Sequence, residues 1–168
     1  MPAQKILLYP DPLLKQICAR VEPTDPLLGD LIQDLIDTMR AGPGSVGVAA
    51  PQIGSLFRVC VVDVAANRLG AANNHGLLVM VNPQISRRDG EGIMREGCMS
   101  VPDYTGDVAR ATSITVCFTD RKGKPQELDA SGFEAVAIQH EMDHLDGVLF
   151  LDRVACLKTG LFRRKNYR

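Results

Sequence analysis

Gln139-His140-Glu141-Met142-Asp143-His144-Leu145 is the stretch around which this chain is organised. It holds an H-E-x-x-H pattern built from two of the only three histidines in the sequence. On a helix, residues i and i+4 lie one above the other on the same face. Two imidazoles so placed can grip one metal ion. Glu141 then leans toward that ion, where a carboxylate can take a proton from a bound water. The flanking residues favour a helix. Ser131-Gly132-Phe133-Glu134 reads as a capping box, with Ser131 at the N-cap and Glu134 at N3. Gly147 stands where a glycine can end a helix. Phe133, Ala137, His140 and His144 fall on one stripe, so the ligand face is expected to be the buried face. The bland alternative is a core helix with two hydrogen-bonded histidines, and the intervening Glu141 weighs against it.

A catalytic metal needs three protein ligands and one open position. Downstream, the chain has no Glu after Glu141 and no His after His144. The extended form H-E-x-x-H-x-x-G-x-x-H begins well, since Gly147 fits, but its last position is Phe150, which cannot bind metal. Asp146 and Asp152 are weak candidates. Upstream, His75 lies in Ala72-Asn73-Asn74-His75-Gly76, which reads as an exposed loop. Five cysteines are the other options. Cys60 and Cys117 sit in Val-rich runs and read as small buried hydrophobes, while Cys18 and Cys156 lack a polar constellation. Cys98 stands out, beside a glycine that lets the backbone approach closely. A thiolate with two imidazoles is a sound ligand set for a borderline-soft divalent ion. Cys98 as a nucleophile is the weaker reading, because no histidine neighbours it in sequence.

Three motifs in order resemble those of the peptide deformylases. Ser45-Val46-Gly47-Val48-Ala49-Ala50-Pro51-Gln52 is similar to the first, usually G-x-G-h-A-A-x-Q with h hydrophobic. Glu96-Gly97-Cys98-Met99-Ser100 matches E-G-C-h-S, and Gln139 to Leu145 matches Q-H-E-h-D-H-L. The likeness runs from about Leu8 to Asp152. It implies hydrolysis of the N-formyl group from formyl-methionyl peptides, with release of formate. It also implies Cys98, His140 and His144 as metal ligands, and Glu141 as the base that later returns a proton to the leaving amine. The Gln52 amide and the Met99 backbone N–H would stabilise the oxyanion. Gly47 would set its backbone against the substrate. Val46, Met94, Phe133, Val136 and Ala137 would line a pocket for the methionine side chain, although core packing explains any single one as well. Glu96 would pair with Arg110 and support the Cys98 segment. The family favours Fe(II), and the same donors suit Zn(II), Ni(II) or Co(II). The chain departs from the pattern at Ser45, where glycine is usual, and at Met99, where leucine is commoner. Thr105 stands where many members carry arginine. The Thr105 departure bears on substrate affinity rather than on the chemistry.

The 168 residues carry a net charge of -1 and suit one domain, 1–168, with a basic tail over 158–168. No DNA footprint and no membrane span is expected. The first residues lack the character of a signal or transit peptide, and an odd cysteine count without paired spacings fits a reducing cytoplasm, bacterial by the family's chemistry. Leu28, Leu31, Ile32, Leu35, Ile36 and Met39 predict a helix near 26–40. Strands are predicted at 57–64, 77–82 and 113–118, with a hairpin turn at 120–124 and a short strand after it. The class is therefore α+β. Mixed or antiparallel strands pack around a C-terminal metal-binding helix, with a further helix toward the N-terminus. The tail is expected to be solvated, and its sharper reading is contact with ribosomal RNA where nascent peptides emerge. The expected partner is the formyl-methionyl nascent peptide. The alternative to a working enzyme is a catalytically weakened relative that only binds peptides, and a metallopeptidase cutting ordinary amides is a third reading.

Overall fold

The computed structural model describes residues 2–165. A 3-10 turn at Pro12–Lys15 leads to α1, Leu28–Ala41. Next come β1 (Gly47–Ala49), a second 3-10 turn (Ala50–Ile53), β2 (Val59–Val62) and β3 (Leu78–Asp89). β4 (Gly92–Cys98), β5 (Val101–Arg110), β6 (Ser113–Thr119) and β7 (Pro125–Ser131) follow. Then come α2 (Gly132–Leu145) and the short α3 (Phe150–Arg153), α4 (Leu157–Gly160) and β8 (Leu161–Arg163).

Two antiparallel sheets result, one ordered β1-β2-β3-β6-β7 and one ordered β4-β5-β8. The period-2 alternation of strands explains how both helices are used. In β1 and β2, Ala49, Cys60 and Val62 face the cluster that contains Ala135, Ile138 and Met142 of α2. Val48, Val59 and Val61 face the opposite way, into Ile32, Leu35 and Met39 of α1. These two strands are thus covered on both sides, which is why β2 reads as the unbroken apolar run Val-Cys-Val-Val. A third cluster joins Cys98, Val101 and Val108 of the small sheet to Leu14, Leu149, Phe150 and Val154.

The α+β class, the helix near 26–40 and the strands at 57–64, 77–82 and 113–118 all have counterparts. β3 runs seven residues past its expected end. Several expectations need correction. Ser131 is the N-cap, but its side chain makes no capping bond. The Glu134 carboxylate instead accepts the His75 backbone N–H at 2.7 Å and contacts its ring. The expected apolar stripe is also too narrow, because α2 is buried all round from Glu134 to Leu145. It is enclosed by the β1–β2 face and by both sheets. At its far end, Gly147 adopts φ +73, and the N–H groups of Gly147 and Val148 bond to the carbonyls of His144 and Asp143. That pattern closes a helix through a left-handed residue. Cys117 is half-buried, since it lies on the outer side of β6 near Ser86 and Glu127. The tail is not wholly solvated either. Leu161 to Arg163 pair with β5, which gives Leu161 and Phe162 partial cover. Arg168 lies outside the described residues.

Candidate metal centre

α2 brings His140 and His144 to one side, and the end of β4 brings Cys98 to meet them. One ligand atom from each lies within 4.8 Å of the others, and all three residues are buried. The β4–β5 hairpin fixes Cys98. Its register slips between Gly97 and Cys98, and Met99-Ser100 forms the turn. Cys98 Sγ is 3.3 Å from His144 Nε2. His140 Nδ1 is held by Glu96 Oε1 at 2.8 Å, which leaves Nε2 to face Cys98. His75, Asp146 and Asp152 are elsewhere: His75 is with Glu134, Asp146 with Arg58 and Asp152 with Lys15. Phe150, the failed third position of the extended motif, stacks near His140 at 6.3 Å between centroids.

The electrostatics suit a cation. Burial opposes ionisation of Cys98, but its charge interactions and hydrogen bonds with His144 and His140 hold its thiol well below the usual range. Burial likewise opposes charge on His140, yet the contacts with Cys98 and Glu96 raise it well above an ordinary histidine. A soft thiolate and two borderline imidazoles, converging in a buried site, match the donor set for a divalent transition metal. Among the described residues, His144 Nδ1 and Glu141 Oε2 are buried without a hydrogen-bond partner.

Glu141 stands beside the donors without belonging to them. Burial pushes its carboxyl up to about 7, against the lowering pull of His140 and His144. Its carboxylate lies against Gly47 of β1. A Cβ there would fall 2.7 Å from Oε1 and 2.8 Å from Cγ, so a side chain at 47 would displace Glu141. The requirement for glycine thus has a source within the chain, in addition to any approach of substrate. Gln52 is held on the 3-10 turn after β1. Its Oε1 accepts the Ala49 N–H at 3.0 Å, and its Nε2 donates to Ser100 Oγ at 3.0 Å. That nitrogen is 3.5 Å from Cys98 Sγ, so the amide donors face the cluster. Ser45 Oγ donates to the Gly47 carbonyl at 3.3 Å, beside the same strand. Met94 shares the inward face of β4 with Glu96 and Cys98, by the alternation of the strand. Val46 and Phe133 are half-buried at the edge of the cluster that contains Ala137, and Val136 is buried nearby in sequence on α2.

Behind the donors runs a charge network, buried at Glu96, Arg110 and Asp143 and exposed at Arg153. Arg110 makes a two-pronged contact with Glu96, one arm at 2.8 Å, and gives a further bond of 2.8 Å to Asp143 Oδ2. Arg153 closes the chain with Nη2 on Asp143 Oδ1 at 2.8 Å. The sequence reading included Glu96 and Arg110 but missed Asp143, Arg153 and the positioning bond of Ser100. Asp143 carried a signal, since a carboxylate inside a fully enclosed helix requires a cation.

An H-E-x-x-H helix with a cysteine converging on its histidines and a carboxylate beside them is the arrangement of a metal-dependent hydrolase. Residues 3–159 match the model of the polypeptide deformylases. A peptide deformylase of Syntrophobacter fumaroxidans is 44% identical over 95% of this chain and 91% of its own length. The crystal structure of a peptide deformylase from Legionella pneumophila superposes with a TM-score of 0.82 at 42% identity, covering 93% of this chain and 88% of the other. The peptide deformylase of Synechococcus elongatus, solved in complex with actinonin, gives 0.82 at 36% identity over 93% of this chain and 81% of the other. The chain belongs to the polypeptide deformylase family.

Proposed function

We infer that this protein hydrolyses the N-formyl group of formyl-methionyl peptides and releases formate. The observation that carries the reading is the convergence of Cys98, His140 and His144 beside Glu141, whose Oε2 is buried with no partner among the described residues. Cys98, His140 and His144 would hold the metal, with Fe(II) as the physiological ion and Zn(II), Ni(II) or Co(II) able to fill the same donors. When bound, the ion supplies Lewis-acid activation of water at neutral pH.

The chain's own groups do the rest. Glu141 takes a proton from water as its oxygen joins the formyl carbon. Gln52 Nε2 and the Met99 N–H donate to the oxygen that gathers charge, and Ser100 keeps the amide aimed. As the C–N bond breaks, Glu141 returns the proton to the departing amine, leaving formate and a free methionyl terminus. Val46, Met94, Phe133, Val136 and Ala137 are proposed to receive the methionine side chain. A non-catalytic peptide binder would have no use for Glu141 and Gln52; both are buried here, and Gln52 is held in place by hydrogen bonds.

Metal-loaded protein incubated with formyl-Met-Ala-Ser should yield formate and intact Met-Ala-Ser by mass spectrometry. Fragments cut at an internal amide would support the metallopeptidase instead. Among the described residues no helix is long and apolar enough to cross a membrane, and we place the enzyme in the bacterial cytoplasm as a single domain over residues 1–168. Lys158, Arg163 and Lys165 are exposed, as a contact with ribosomal RNA would require. If they make that contact, deleting 158–168 should weaken co-sedimentation with ribosomes at low salt, and undiminished binding would end that idea.

A further inference from the structure

The side chain of Arg164 lies beside the metal motif from an unexpected direction. Its backbone N–H donates to the Asp103 carbonyl at 2.8 Å, which extends the pairing of β8 with β5 by one residue. Its side chain then reaches across β5 to β4. A Cβ on Gly97 would sit 2.5 Å from Arg164 Nη2 and 3.6 Å from Thr105 Cγ2, so the guanidinium rests on the bare face of the residue next to Cys98. Its neighbour Arg95 already has partners, Asp107 at 3.3 Å and the Phe162 ring at 3.5 Å. Arg164 has none: among the described residues no acceptor reaches its guanidinium, although the residue is half-buried. A partly desolvated cation without a partner is costly, and a ligand that brings an acceptor oxygen removes the cost.

Among the described residues β4 is the outer strand of its sheet, and no strand pairs with its far edge at Gly97. An extended peptide readily follows such an edge, advancing about 3.3 Å per residue. With its formyl end at Cys98, the residues just after methionine pass the Gly97 position. We propose that Arg164 is a specificity-determining residue that binds an acceptor oxygen of the substrate chain beyond methionine. Resting on the deformylase reading, this names the group that recognises the rest of the peptide. A planar guanidinium suits either a main-chain carbonyl or, in a short peptide, the terminal carboxylate.

Formate release would be measured for wild type, Arg164→Ala and Arg164→Lys on three substrates. These are formyl-Met amide, and formyl-Met-Ala-Ser as the free acid and as the C-terminal amide. Arg164→Ala should raise KM for the free acid about tenfold, as expected for loss of a charge-assisted hydrogen bond, with kcat nearly unchanged. Arg164→Lys should recover part of the loss. Formyl-Met amide, which ends at methionine, should be turned over as by wild type. An equal loss on the tripeptide amide assigns the contact to a main-chain carbonyl, and no loss there assigns it to the carboxylate. Equal losses on all three substrates, or no loss on either tripeptide, would overturn the proposal. Absence of formate from wild type on every substrate would instead sink the deformylase reading, and this proposal with it.

Discussion

Glu141→Ala is expected to lower kcat for formate release by about a thousandfold, with bound metal unchanged. The size follows from the job assigned to the group, since a positioned acid–base residue contributes about a hundredfold to ten-thousandfold. The unchanged metal follows from geometry. The three donors that converge are Cys98, His140 and His144, and Glu141 is outside that set. Its carboxylate has one buried oxygen with no partner among the described residues, so removing it breaks no bond there that holds the fold. Elemental analysis beside a formate assay separates the two roles. Loss of metal with activity would make Glu141 a ligand, and survival of a large share of kcat would remove it from the chemistry.

Arg110→Met should destabilise the fold by roughly 3–5 kcal/mol, because it leaves buried carboxylates without their cation. Arg110 and Glu96 side chains are 3% and 5% exposed, so water cannot replace the lost contacts. Burial alone would raise the Glu96 carboxyl, but its bonds to Arg110 and His140 bring it below its ordinary value. Without Arg110, Glu96 loses its two-pronged anchor and His140 loses a fixed orientation. Metal affinity should therefore fall about tenfold to a hundredfold, as is usual when a group supporting a ligand is removed. Urea denaturation and competition with a chelator measure the two effects. A variant as stable as wild type would show that the network contributes little beyond its own assembly.

The parts of the molecule legible in the sequence are those where one residue type permits one use. Two histidines four apart, with few others in the chain, could be placed on one helix face, and Cys98 could be singled out by the glycine beside it. α1 was legible because its apolar residues recur at helical spacing and face one cluster. β5 was not legible, because Pro102, Asp103, Thr105, Gly106 and Asp107 read as loop. Its burial alternates only toward its end, and one side meets water. β4 was hidden for a similar reason, with glycines at 92 and 97 and Arg95 on its open face. β8 could not be foreseen from local propensity, since three residues become a strand only when β5 offers an edge. The capping box failed through a long-range competitor. His75, fifty-nine residues away, takes the Glu134 carboxylate that the local pattern assigned to the helix start.

A metal held by Cys98, His140 and His144 should be required for deformylation. The protein would be stripped with a chelator under anaerobic conditions and Fe(II) restored stepwise, with formate release from formyl-Met-Ala-Ser measured against metal bound. Turnover should be absent from the stripped protein, rise in proportion to bound metal and level off at one ion per chain. Equal turnover without metal, or full metal with no formate, would contradict it.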